Sequence, residues 1–304
     1  MKTELSSPHQ LTTKVSRKEL FIPWVFVLMW SSGAILVELG LPYADPFTFL
    51  AYRFFIAAII MWIISLKLKS KLPSTTFEWK AIISTGIFQQ VGYQAFFFLA
   101  LDFNISPGLL AIILGAQPIV TTVLSKGDTT KKQWIGLFSG MIGLILVVGH
   151  SLWEGSISIL GVVWCLLSLG SITCGTFLQK NIKTSLPMNM SIQYTCSFLL
   201  FIIIAPFFGS FTVDWTSTFL MSLLWMVFII TVGATMLLYY MISKGNLTNV
   251  TSLFYCVPAL TAILDYFIFG NTLGFTPIIG LGFIIMGLVM INQKNKEFKK
   301  TVAS

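Results

Sequence analysis

Charge is scarce in this chain. Only 10% of its 304 residues are Asp, Glu, Lys or Arg, while 56% are hydrophobic. Soluble domains carry about a quarter charged residues, so the balance excludes a water-facing globular surface and leaves a membrane composition. Histidine is nearly missing: His9 and His150 are the only two, and both fall outside the apolar runs. Cys165, Cys174, Cys196 and Cys256 lie inside apolar runs with no CxxC spacing. They read as small packing residues, and neither disulfide, metal nor other cofactor is expected. No GxxxxGK[ST] run occurs, so nothing in the sequence cradles a nucleotide phosphate. Intramembrane catalysis needs a convergent nucleophile, base or metal-ligand set, and paired carboxylates at one depth are missing. An enzyme is not expected.

What the chain does have is long hydrophobic runs. Those of roughly 18 or more residues read as spanning helices. Ten can be cut: Leu20–Glu38, Pro46–Ser65, Ala81–Leu101, Ser106–Leu124, Gln133–Gly149, Ile157–Leu178, Met190–Phe208, Thr218–Met241, Val250–Phe269 and Phe275–Ile291. Short connections leave no room for a soluble domain, so the expected fold is an all-α membrane protein with ten transmembrane helices. No small-residue cleavage site follows the first run, and the N-terminal segment is expected to be retained.

The net charge of +8 invites a nucleic-acid reading, which the positions of the basic residues remove. With ten crossings, eighteen of the nineteen Lys and Arg residues fall on one side, from Lys2, Lys14, Arg17 and Lys18 to Lys294, Lys296, Lys299 and Lys300. The opposite connections carry Asp45, Asp102, Glu154 and Asp214 and no basic residue. This is the positive-inside bias, and it places both termini in the cytoplasm. The basic balance reports topology, and nucleic acid is not an expected partner.

Polar residues inside the runs are few and costly, so each needs a reason. Trp30, Ser31, Ser32 and Gly33 in the first run allow close helix approach or line a substrate cavity. Arg53 is the only basic residue inside a run, roughly 10 Å along its helix. It either pairs with Glu38, Asp45 or Asp265, or contacts a substrate carboxylate. Gln89, Gln90, Tyr93 and Gln94 form two i, i+4 pairs and one inward polar stripe, read as a cavity wall. Gln117-Pro118 interrupts the fourth run, because proline removes a backbone donor. Gly136, Gly140 and Gly143 make the fifth a packing or dimer helix, leaving monomer and homodimer both open. Trp164, Ser168 and Tyr255 are further candidates for the wall, and Tyr239 and Tyr240 read as interfacial anchors.

The halves repeat. Pro118 and Pro258 lie 140 residues apart, and Gly136/Gly280 and Gly143/Gly287 lie 144 apart. Five helices per half turn the second copy upside down, which is a transporter signature with the substrate site near the midplane. The expected units are 20–149 and 150–292, flanked by cytoplasmic tails at 1–19 and 293–304.

The segment WSSGAILVELGLPYADPFTFLAYRFFIAA resembles the opening of the EamA family of the drug/metabolite transporter superfamily. Trp30, Ser31, Pro46, Phe47, Arg53, Phe54 and Ala57 carry the likeness, supported by Pro118, the Gln133-Trp134-Ile135-Gly136 stretch, Pro258 and Gly280. The resemblance implies a ten-helix, two-repeat exporter of metabolites or amino acids, with helices 3, 4, 8 and 9 moving around a central cavity and helices 5 and 10 peripheral. The chain departs from the family where a Glu often follows helices 4 and 9. Gly127, with Asp128 adjacent, and Asn271 stand there.

The expected function is secondary transport of a small organic solute across a bacterial cytoplasmic membrane by alternating access. Trp30, Ser31, Arg53, Gln90, Tyr93, Gln94, Gln117, Trp164, Ser168 and Tyr255 are the expected substrate-binding set, with Pro118 and Pro258 as helix breaks. Glu38, Arg53 and Asp265 are the candidates for ion coupling or an ion pair. Amides with one cation favour amino acids and related zwitterions. Amphipathic drugs come second, and a lipid flippase or a non-transporting sensor on the same scaffold is the alternative.

Overall fold

A computed structural model describes residues 17–292 except 104, 106, 126–128, 149–157, 210 and 270–274. Helix α1 is Arg17–Gly40 and α2 is Pro46–Lys67. Helix α3 covers 76–102 as Thr76–Gly86, a π-helical stretch Ile87–Gly92, and Tyr93–Asp102. Helix α4 covers 107–124 and breaks at Ala116, between Pro107–Gly115 and Gln117–Leu124. Helices α5, α6 and α7 are Lys131–Val148, Ile159–Lys180 and Leu186–Phe208. Helix α8 covers 217–244 and encloses a second π-helical stretch, Met226–Ala234. Helix α9 covers 247–269, with a tight 3-10 turn at Ser252–Tyr255, and α10 is Phe275–Asn292. Among the described residues, each of the apolar runs overlaps a helix, whole or interrupted. No strand occurs among the described residues, only an isolated bridge between Ala44 and Val213.

Local chemistry explains the boundaries. Asp45 caps α2: its carboxylate accepts from Thr48 N at 3.0 Å and from the Thr48 hydroxyl at 2.6 Å, with Pro46 at the first helical position. Asp45→Ala is expected to cost about 1 kcal/mol, read as a lowered melting temperature in detergent. Thr75 caps α3 by accepting from Glu78 N at 3.2 Å, while Glu78 accepts from Ser74 N at 2.8 Å.

Among the described residues, five helices are long and apolar enough to cross a membrane: Phe21–Tyr43, Pro46–Lys67, Ile159–Lys180, Leu186–Phe208 and Ser217–Lys244. Their exposed faces are apolar at helical spacing. Phe55, Ile59, Ile63 and Leu66 line one side of α2, and Ile135, Phe138, Ile142 and Ile145 line one side of α5. In water such faces would aggregate; in lipid they are the solvent-exposed surface.

The packing has an approximate two-fold symmetry that exchanges helix n with helix n+5. The largest interfaces, α5 on α10 and α2 on α7, map onto themselves, while α3 on α6 maps onto α8 on α1. The direction of the copies follows from the α5–α10 interface. Gly136 abuts the Gly287 carbonyl and Gly143 abuts the Gly280 carbonyl, while the Ser139 hydroxyl donates to Phe283 O at 2.9 Å. Ascending numbers meet descending ones, so the copies are inverted. Glycine is required here because backbone meets backbone. The small-residue stripe of α5 is consumed inside the chain and is closed to a second copy.

Candidate functional site

Arg53 sits between α2, α3 and α8 and is 7% exposed. Its Nε–H donates to the Thr231 hydroxyl, and Nη1 donates to Gln94 Oε1 at 3.0 Å. The guanidinium also lies 5.5 Å from the centre of the Phe54 ring. Thr231 is oriented by donating to Met226 O, five residues back, at 2.8 Å. That interval exists because the backbone around Thr231 is π-helical, and Tyr194 donates to the Thr231 carbonyl. π-helical turns widen a helix by one residue per turn and concentrate at functional positions. The stretch in α3 is the counterpart of that in α8: Ile87 and Met226, their first residues, lie 139 apart. The cation is therefore held by neutral acceptors on two helices that share the same irregularity.

A second polar group lies toward the end that carries Lys67, Lys180 and Lys244, called here the basic end. Gln90 Nε2 donates to the Tyr239 hydroxyl at 2.9 Å, which donates to Gln193 Oε1 at 2.7 Å. Gln193 Nε2 donates to Asn189 Oδ1 at 2.7 Å and to Gln179 Oε1 at 3.1 Å, and Asn189 Nδ2 reaches the same Gln179 oxygen at 3.1 Å. All five side chains are buried. Tyr239 is thus an internal bridge between helices rather than an anchor at the lipid surface.

The remaining sequence candidates divide among three places. Trp30 and Ser31 face α9: Trp30 packs edge-on against Phe254 at 5.4 Å, and the Ser31 hydroxyl donates to Val257 O at 3.2 Å. Tyr93, Trp164 and Ser168 belong to the α3–α6 seam, where Ser168 donates to Tyr93 O at 2.9 Å and Trp164 stacks on Phe96 at 5.6 Å. Gln117, nearby, donates to the Thr176 hydroxyl of α6 at 3.3 Å. Tyr255 turns toward α5, donating to Leu137 O at 3.2 Å and filling the space beside Gly140. Of the ten candidates, two pairs touch through hydrogen bonds among the described residues: Arg53 with Gln94, and Ser168 with the Tyr93 carbonyl. Pro118 opens the helical segment after the break at Ala116, and Pro258 lies in the first turn after the 3-10 turn. A missing N–H costs little there. The side chains of Glu38 and Asp265 lie outside the described residues, as do Gly127, Asp128 and Asn271. Sequence reasoning named neither π-helical stretch, and it left Gln179, Asn189 and Gln193 without a shared site. The 140-residue interval from Arg53 to Gln193, equal to that between the prolines, was the available signal.

Two inverted helical copies with polar groups buried between them define a multi-pass membrane transporter of the inverted-repeat class. The model of the EamA-like transporter family matches residues 19–149 and 159–293, and the chain belongs to that family. It is 26% identical over 288 residues to the uncharacterized transporter YvbV of Bacillus subtilis, covering 90% of this chain and 91% of that one. It is 24% identical over 292 residues to a probable amino-acid metabolite efflux pump of Salmonella typhimurium, covering 90% and 94%. A protein of the same name from Escherichia coli is 25% identical over 267 residues, covering 86% and 79%. A solved structure titled only as the crystal structure of a protein superposes with a TM-score of 0.77 at 16% identity, covering 91% of this chain and 98% of that one. The last likeness concerns the fold alone.

Proposed function

We propose that the protein exports small metabolites, amino acids or related zwitterions foremost, across the cytoplasmic membrane by alternating access. All ten helices cross the bilayer in this reading, with the basic end and both termini in the cytoplasm. The observation that carries it is Arg53. Among the described residues the hydrogen bonds of this buried guanidinium go to a threonine and a glutamine and to no carboxylate, and water-poor surroundings strengthen its pull on an incoming carboxylate. The two acceptors are uncharged and sit on interrupted helices, so a carboxylate displaces them at modest cost. The Salmonella and Escherichia relatives, each named a probable amino-acid metabolite efflux pump, agree with this class of solute.

The test is solute flux. Purified protein in liposomes, presented with a panel of radiolabelled amino acids and their amide and decarboxylated analogues, is expected to exchange the carboxylate-bearing members with saturation. The decarboxylated amines are expected to move at least about tenfold more slowly, the loss equivalent to one charge-assisted hydrogen bond. Equal rates for amine and amino acid, or scrambling of labelled phospholipid without solute flux, would overturn the reading.

A further inference from the structure

We infer that the amide group around Gln193 is the cytoplasmic half of the solute path, closed in this structure by Lys180. The inference rests on the transport reading above and extends it to residues that reading does not use. Under the two-fold relation Gln193 stands where Arg53 stands in the first copy, 140 residues earlier. Each copy thus sends one polar side chain from its second helix toward the third helices of both copies. In the first copy it is a cation, in the second an amide.

An amide group made only for helix adhesion needs few members, since each interhelical bond contributes about 1–2 kcal/mol at best. Here four helices supply five side chains, running from Gln90 near the middle of α3 to Gln179 at the last turn of α6. Beside them the Gln89 carbonyl oxygen is buried against Gly175, one turn before Gln179, with no hydrogen-bond partner. An unmet buried acceptor costs about 1–3 kcal/mol. A solute N–H would meet it. The group presents amide donors and acceptors and no net charge, so it suits a neutral or zwitterionic solute entering from the cytoplasm. Arg53 then takes the carboxylate deeper in the membrane.

Lys180 immediately follows Gln179 and fastens the cytoplasmic mouth of this path. Its ammonium donates to Ile242 O and Gly245 O, each at 2.6 Å, at the C-terminal end of α8. A cation on helix-terminal carbonyls also satisfies the helix dipole. At the same end the Thr122 hydroxyl donates to Thr248 at 3.0 Å, tying α4 to α9. Among the described residues, α1 and α3, the counterparts of α6 and α8, make no comparable contact. The opposite end carries a loop-to-loop tie instead, with Asp214 N donating to Tyr43 O at 2.9 Å beside the Ala44–Val213 bridge.

The test uses Gln193→Cys in the full chain with its four native cysteines replaced by serine or alanine. A positively charged, membrane-impermeant methanethiosulfonate is applied to inside-out or right-side-out vesicles, with and without Lys180→Met. Labelling from the cytoplasmic face, accelerated at least tenfold by Lys180→Met, is the expected result. A cysteine inert in both backgrounds, labelled only from the outside, or indifferent to Lys180→Met overturns the inference. Asn189→Cys, one turn nearer the cytoplasm, serves where Gln193→Cys does not accumulate. The assay needs no solute. Labelling without amino-acid flux would therefore leave the path standing and count against the proposed substrate alone.

Discussion

Arg53→Met is expected to reduce carboxylate-solute flux by about 100-fold or more while leaving the melting temperature close to that of the parent protein. Hydrogen bonds to charged groups contribute about 1.5–3 kcal/mol each, and a bidentate carboxylate would lose two. At about 1.4 kcal/mol per factor of ten, that loss spans two decades or more. Stability should respond differently. Replacing a buried charged group by an apolar one of similar length removes a desolvation penalty along with the hydrogen bonds, and the balance is often neutral. Thr231 keeps its own donation to Met226 O, and Gln94 is only half-buried and can rehydrate. Arg53→Lys retains charge without the planar fork, so flux should fall by about tenfold. Parallel measurement of flux in liposomes and melting in detergent separates the readings: undiminished flux in Arg53→Met would remove Arg53 from the solute path. A melting temperature lost together with flux would make its role structural.

The second large effect concerns stability. A Cβ added at Gly136 would lie 2.7 Å from the Gly287 carbonyl, and one at Gly143 would lie 2.8 Å from the Ile284 backbone nitrogen. Backbone atoms cannot rotate away as a side chain can, so α5 and α10 must separate. Gly136→Ala and Gly143→Ala are each expected to cost about 1–3 kcal/mol. Gly136→Ala combined with Gly287→Ala should cost less than the sum, because both act on one contact. Gly170 and Gly282 provide the comparison, since nothing lies within 4 Å of a Cβ at either. Alanine there should stabilise by about 0.5–1 kcal/mol through helix propensity. Thermal unfolding in detergent decides it, and equal effects at all four sites would count against a backbone-tight α5–α10 seam.

Much of the architecture was legible because lipid simplifies the code. Every spanning segment must satisfy its own backbone, so a run of apolar residues has few options besides helix. The glycines at matching intervals pointed to a repeated unit, and the α5–α10 packing realises it. Asp45 and Pro46 set the start of α2 by equally local chemistry, since cap and first-turn proline act within four residues. The polar candidates were harder. Gln90, Gln94 and Gln117 are expected from the sequence to line one cavity, whereas in the structure each bonds a different partner: Tyr239, Arg53 and Thr176. Spacing on one helix says which side chains share a face, and it is silent on which helix lies opposite.

What the sequence determined by itself is the solvent, the helical content, the two copies and the rarity of buried charge. Each of these follows from composition or from periods along one segment. Tertiary structure alone decided that Arg53 rests on Thr231, that Tyr239 lies inside the bundle, and that Gln179, Asn189 and Gln193 join Gln90 in one group. These contacts link helices up to about 180 residues apart, and the π-helical turns that set their register carry no sequence mark of their own. Hydrophobicity sorts side chains between lipid and interior. Partner choice within the interior is settled only when all the helices have packed.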